Sequence, residues 1–240
     1  MTKPPSNEKE ARARPDWLLW KQPIKDEVAA HKTLGTWSTI NGSNTPYKAV
    51  KTCLVFDIKH DAEGKKTRHE ARLVAQGLKQ ASGPDFDETW APVPNTATSR
   101  FLFALAAANG WEVNHVDVKT AFLDAHMDKE VYIKLPDCVE SGEPADPRRL
   151  NLDMYGNKQT GRLWVIKLNK ELDQMKATRS SVDPCLYEWH NPVHGRVFIL
   201  VYVDDLIVAG ESFAGVEAVK KGVPGSSRSS TWGRAKKFLA

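Results

Sequence analysis

Apolar positions along this chain recur with two different periods, and the switches between them divide it into elements. Trp17, Trp20, Ile24, Val28 and Ala29 fall near helical spacing, interrupted by Pro23 and stopped by Gly35, which predicts one amphipathic helix starting near Pro23. Two short β-rich runs, 50–60 and 71–76, flank DAEGKK, where Gly64 predicts a hairpin turn. The segment QASGPDFDETWAPVPN leaves little room for regular structure. A helix is expected over 99–108, ending at Asn109-Gly110, followed by the strand EVNHVDV, which runs to Asp117. The best helical pattern is 161–177, where Leu163, Trp164, Leu168, Leu172 and Met175 share one face. Strands at 185–189 and 196–203 surround the turn-rich HNPVHG, and a last apolar run covers 206–209. Residues 1–15 read as a flexible leader or a junction with an upstream segment, and GVPGSSRSST reads as a linker. There is no internal repeat.

Composition narrows the class without naming a function. A chain of 240 residues, 41% hydrophobic and 27% charged, has the make-up of a globular protein of one large domain or two small ones. No run approaches the roughly 18 apolar residues of a membrane span, and MTKPPSNEKEARARP puts charges where a signal peptide needs an apolar core. The expectation is a cytoplasmic or nuclear protein that is not secreted. Cys53, Cys138 and Cys185 are odd in number and far apart, which fits a reducing compartment and ordinary thiols. The net charge of +4 is concentrated beyond residue 210, where six Lys or Arg face Glu211 and Glu217. Such a surplus is compatible with a polyanionic partner and equally with a solvated face.

The sharpest chemical feature is VFILVYVDDLIVAG, two apolar runs flanking adjacent carboxylates. The runs predict buried strands joined by a hairpin with Asp204 and Asp205 at its tip. Neither residue is the glycine such turns favour, and two like charges side by side repel unless a cation lies between them. Taken alone, an acidic pair reads as a solvated strand end. A second strand, EVNHVDV, also ends in an aspartate, so one antiparallel sheet could present Asp117, Asp204 and Asp205 along an edge. Three hard oxygen donors there suit two Mg²⁺ ions acting in phosphoryl transfer. Zinc is a poorer fit: His190 with His194, and Asp124, His126 and Asp128, lie in loops without a cysteine pair.

YVDD at 202–205 and DVKTAF at 117–122 resemble the two palm motifs of reverse transcriptases. EARLVAQG at 70–77, ETWAPV at 88–93, GWEVNHVDVKTAFL at 110–123, YGNKQ at 155–159 and YVDDLIVAG at 202–210 are similar, in order and spacing, to the copia-type retrotransposon branch. The resemblance runs from about Trp17 to Gly210, with a faint echo in WGRAKKFLA. It implies an α+β fold of right-hand polymerase type, an antiparallel palm sheet backed by the helices at 99–108 and 161–177. Fingers would come from 48–96 and 125–160, the palm from 97–124 and 161–210, after an N-terminal helical segment at 16–47.

Position by position, the resemblance makes Asp117, Asp204 and Asp205 metal-binding carboxylates, with Val118 lending a backbone carbonyl. Phe122 would pack beneath the incoming sugar and exclude a 2′-hydroxyl, although as a residue it reads as a plain core aromatic. Arg72 would grip the triphosphate, a task suited to a forked, permanently charged guanidinium. Lys65 is a second, weaker candidate for that task, and Gln159 would lie against the incoming nucleotide. The implied cofactor is Mg²⁺ as two ions, with Mn²⁺ as a substitute. The implied partners are an RNA or DNA template with its primer, dNTPs, other Pol segments, and no membrane. Association with a virus-like particle is a further implied location.

Some positions depart from the family pattern. Cys53 to Asp57 replace a run with two lysines, Glu70 stands where a lysine is usual, and Asn157 replaces the leucine of YGLKQ. Residues 211–240 read as a degraded linker or thumb remnant, with the thumb missing or truncated. Two functions follow: an RNA-directed DNA polymerase fragment using two-metal nucleotidyl transfer, or an inactive remnant that binds nucleic acid through backbone charge alone.

Overall fold

The computed structural model describes residues 3–40, 48–61, 63–118, 123, 125–136, 139 and 147–223, and the backbone of 228–234. The chain divides into two units. The first holds Met1–Thr89 and Phe122–Leu163, and the second holds Trp90–Ala121 and Trp164–Ala240.

In the first unit, helix α1 (Glu8–Ala13) precedes α2 (Trp17–Leu34) and strand β1 (Trp37–Thr39). The hairpin β2 (Val50–His60) and β3 (Lys66–Ala75) follows, then β5 (Tyr132–Lys134) and β6 (Arg148–Leu150). These strands form one sheet in the order β1-β6-β5-β2-β3, in which β2 and β5 run parallel. Burial alternates along β2, so Val50, Leu54, Phe56 and Ile58 enter the core while Lys51, Val55 and Asp57 face out. Helix α2 lays Trp20 and Ile24 against that core, with the Trp20 ring edge-on to Phe56 at 5.2 Å.

Two expectations change here. Helix α2 begins at Trp17 and carries Pro23 inside it, because the packing of Trp20 and Ile24 outweighs the backbone bond that proline removes. The stretch expected as a flexible leader contains α1, capped by Asn7, whose side chain accepts from the Glu10 N–H at 2.9 Å. Ala11 of that helix is fully buried.

The second unit contains α3 (Thr96–Asn109), β4 (Glu112–Asp117), β7 (Thr178–Arg179), β8 (Leu186–Asn191), β9 (Gly195–Tyr202) and β10 (Asp205–Gly210). Helix α5 (Phe213–Gly222) and strand β11 (Arg228–Arg234) complete it. The unit boundary falls within α4 (Thr160–Gln174). The sheet has the order β11-β4-β10-β9-β8-β7, with every pairing antiparallel.

Within 211–240, expected as a degraded linker, the described residues form a helix and a strand. Ser212 caps α5, Val216 and Val219 are fully buried at helical spacing, and the β11 backbone pairs with β4 from Arg228↔Asp117 to Arg234↔Glu112. Burying each of those valines is worth about 1.5–3 kcal/mol. Cys185 is a core thiol that burial pushes up to about 11, which makes it unreactive.

Candidate active site

Sheet register brings two of the expected aspartates together. Asp205, the first residue of β10, lies directly opposite Asp117 on β4 and opposite Tyr202 on β9. Side chains alternate between faces along a strand, so Asp117, Asp205 and Tyr202 share one face. On that face the next row holds His115, Ile207 and Leu200, and a third row holds Val113, Ala209 and Phe198. Leu102, Ala106 and Ala107 of α3 cluster with Leu200 and Ile207 of the second row and with the third row. The side chains of Asp205 and His115 are 47% and 28% exposed. On the opposite face Val116, Ile199, Leu206 and Val208 are fully buried. Asp117 and Asp205 therefore sit side by side at one end of a sheet whose other face is buried and apolar.

The turn between β9 and β10 differs from the expected tip. Tyr202 pairs with Asp205, so the two central residues are Val203 and Asp204, and Asp205 belongs to the strand. Val203 takes φ +57, left-handed backbone that a β-branched side chain rarely adopts. Such a residue stores about 1–3 kcal/mol and persists only where its surroundings over-determine it. Here they do so from two sides. The buried indole N–H of Trp164 donates to the Val203 carbonyl at 2.6 Å, and the Val118 N–H donates to the Asp204 carbonyl at 3.0 Å. Hydrogen bonds from α4 and from the end of β4 thus fix the peptide groups around Asp204.

His115 is a neighbour that sequence reasoning missed. Its Nε2 donates to Asp205 Oδ1 at 2.6 Å, the diagonal contact expected between adjacent rows of one sheet face. The signal was present: His115 stands two residues before Asp117, and period-two alternation places both on the same side. In sequence Trp164 reads as part of an apolar helix face, and its N–H, which needs a partner when buried, is the signal for the contact with Val203.

Carboxylate oxygens are the hard donors that Mg²⁺ prefers, so the donor type at Asp117, Asp204 and Asp205 fits such ions. Among the described residues no group of three or more His, Cys, Asp or Glu side chains is arranged to hold a metal ion, at this turn or at the histidines considered for zinc.

The remaining expected site residues belong to the first unit, and Phe122 lies outside the described residues. Arg72 projects from the outer face of β3, with its guanidinium 5.5 Å from the Tyr155 ring centre and 3.2 Å from Glu70. Glu70 also holds Arg68 at 3.0 Å and Lys59 at 3.4 Å, so three cations converge on one carboxylate. Lys65 is exposed at the β2–β3 turn. Gln159 is fully buried, accepting from Gln80 Nε2 at 3.2 Å and donating to the Asp85 carbonyl at 3.1 Å. Its amide ties YGNKQ to the loop after EARLVAQG. Two glycines allow that approach: a Cβ on Gly77 would sit 2.0 Å from the Gly156 carbonyl oxygen, and one on Gly156 would sit 2.2 Å from that of Ala75.

Comparison with known proteins identifies the family of the chain. Residues 35–240 match the family model described as reverse transcriptase (RNA-dependent DNA polymerase). The chain is 31% identical over 208 residues to the retrovirus-related Pol polyprotein from transposon TNT 1-94 of Nicotiana tabacum, covering 86% of this chain and 16% of that protein. It is 31% identical over 194 residues to the corresponding polyprotein from transposon RE2 of Arabidopsis thaliana, covering 80% of this chain and 13% of the relative. It thus spans about a sixth or less of these relatives. On the family match and these identities, the chain belongs to the reverse transcriptase (RNA-dependent DNA polymerase) family, in its copia-type retrotransposon branch.

Proposed function

We propose that this chain is the fingers and palm of an RNA-directed DNA polymerase, with the second unit as palm and Asp117, Asp204 and Asp205 as its catalytic carboxylates. The observation that carries the reading is the register of Asp205 against Asp117 beside a strained turn held from two sides. Preorganised carboxylates suit phosphoryl transfer, in which positioning and electrostatics do most of the catalysis. Two divalent ions, when bound, would supply activation of the primer 3′-hydroxyl and neutralisation of the departing pyrophosphate. Asp117, Asp204 and Asp205, with the Val118 carbonyl, are the groups that would hold them.

The chain's own residues supply the rest. Trp164 and Val118 keep the Asp204 peptide in place, and His115 orients the Asp205 carboxylate. Arg72 and, more weakly, Lys65 would contact the triphosphate, Phe122 would exclude a 2′-hydroxyl, and Gln159 would shape the nucleotide site through the loop it secures. The substrates are a primed RNA or DNA template and dNTPs. No helix among the described residues is long and apolar enough to cross a membrane.

A second reading, an inactive chain that only binds nucleic acid, is favoured by the engagement of Arg72 with Glu70. Primer extension on poly(rA)-oligo(dT) with Mg²⁺ and dTTP separates the two. The parent should extend and the Asp204→Asn, Asp205→Asn double variant should not. A folded parent that fails to extend the primer would sink the polymerase reading and leave the family untouched.

A further inference from the structure

Helix α2 carries two stripes about a quarter-turn apart. Trp20, Ile24 and His31 on one stripe are buried toward β3. At 100° per residue, Trp17, Lys21, Lys25, Val28 and Lys32 fall within a second stripe, which faces an open groove of about 530 Å³. The floor is apolar, formed by Trp17, Ile24, Val28 and Val139. The rim is cationic: Lys21, Lys25 and Lys32 stand along about 16 Å of helix. Arg12 faces them from α1 with its guanidinium 5.3 Å from the Trp17 ring centre. Among the described residues no carboxylate lines this groove. Arg12 is paired with Glu8 at 2.7 Å, whereas Lys21 and Lys25 have no ion-pair partner among the described residues.

Two cations one turn apart, with no ion-pair partner among the described residues and beside a half-buried indole, favour an anionic partner that also offers flat apolar faces. Single-stranded nucleic acid has both properties, phosphates for the lysines and bases for the tryptophan. We propose that the α2 groove binds single-stranded RNA or DNA through its phosphates, as a nucleic-acid contact separate from the carboxylate turn. The choice of nucleic acid over an acidic protein segment rests on the polymerase reading given above. Lys21 and Lys25 contact successive phosphates, and Trp17 offers a stacking face. Contact of this kind tolerates any sequence and weakens steeply with salt.

The test is fluorescence anisotropy of a labelled single-stranded RNA in EDTA, across a KCl series, for the parent and a Lys21→Gln, Lys25→Gln double variant. Both positions are exposed, and circular dichroism checks that the variant folds. The variant should bind roughly tenfold more weakly at low salt, and its log–log salt slope should shrink by about 1.4, two phosphates at ~0.7 each. Photo-crosslinking with 4-thiouridine RNA should label a peptide within 17–34. An unchanged slope, or crosslinks only outside that peptide, overturns the proposal. So does an oligo-glutamate peptide that binds the parent more tightly than RNA and is lost in the variant, since the groove would then belong to an acidic protein. EDTA keeps the readout independent of catalysis. RNA bound with the expected slope by a chain that cannot extend primers would sink the polymerase reading alone. Extension with an unchanged slope would sink the groove alone.

Discussion

Asp153 is fully buried, yet only one of its oxygens has a side-chain hydrogen bond. Asn157 Nδ2 donates to Asp153 Oδ1 at 2.8 Å, while Asp153 Oδ2 and Asn157 Oδ1 have no hydrogen-bond partner among the described residues. Burial, with a smaller push from the Asp128 carboxylate, raises the Asp153 carboxyl to about 6. The sign follows from linkage. The folded state holds this proton more tightly than the unfolded chain, so the stabilisation is full below the unfolded value near 3.8 and is lost as pH rises through about 6. Asp153→Asn removes that dependence. Relative to the parent, the variant should gain about 2 kcal/mol between pH 4 and pH 8 in urea unfolding, and a difference that stays flat with pH would contradict the buried proton. The same pair gives a physical context to Asn157, which in sequence was only a departure from a leucine.

At the scale of elements, the β9–β10 turn and the β2–β3 hairpin each carry a device that one side chain can test. Trp164→Phe keeps the ring in the core and deletes the N–H that holds the Val203 carbonyl. Stability should fall by about 1–2 kcal/mol, the cost of one lost hydrogen bond at a buried group. In primer extension kcat should drop while the KM for dTTP stays within about twofold, because the turn presents carboxylates and not the nucleotide grip. A proportional rise in KM instead would place Trp164 in substrate binding. On the hairpin, Val55↔Arg72, Asp57↔Glu70 and Lys59↔Arg68 are cross-strand partners, and Glu70 bridges three cations. Glu70→Gln releases Arg72 from an exposed pair worth about 0–1 kcal/mol. The KM for dTTP should fall about threefold with little change in thermal stability, and a KM that rises would show that Glu70 positions Arg72 for the nucleotide.

Across the whole molecule, the parts legible in sequence are those set by local period and local chemistry. The hairpin around Gly64, the helix ending at Gly110 and the apolar strands flanking Asp204-Asp205 all appear at or near their expected positions. The ordered motifs led to the family that the comparisons support. The missed elements are held by partners distant in sequence. Helix α1 persists through Ala11 in the core, α2 runs through Pro23 because Trp20 and Ile24 are buried, and β11 forms by pairing with β4 some 110 residues earlier. Length counts against the six-residue α1, Pro23 against α2, and composition against the RSSTWGR strand, and burial or pairing overrides each. The same division holds at the site. The identity and order of the carboxylates were written in the sequence. Tertiary structure decided that Asp205 faces Asp117, that Val203 and not an aspartate takes the strained backbone, that His115 engages Asp205, and that Gln159 is buried in a loop contact. Each of those outcomes depends on strand register or on packing between segments remote along the chain, and a local pattern of hydrophobic and polar positions contains neither.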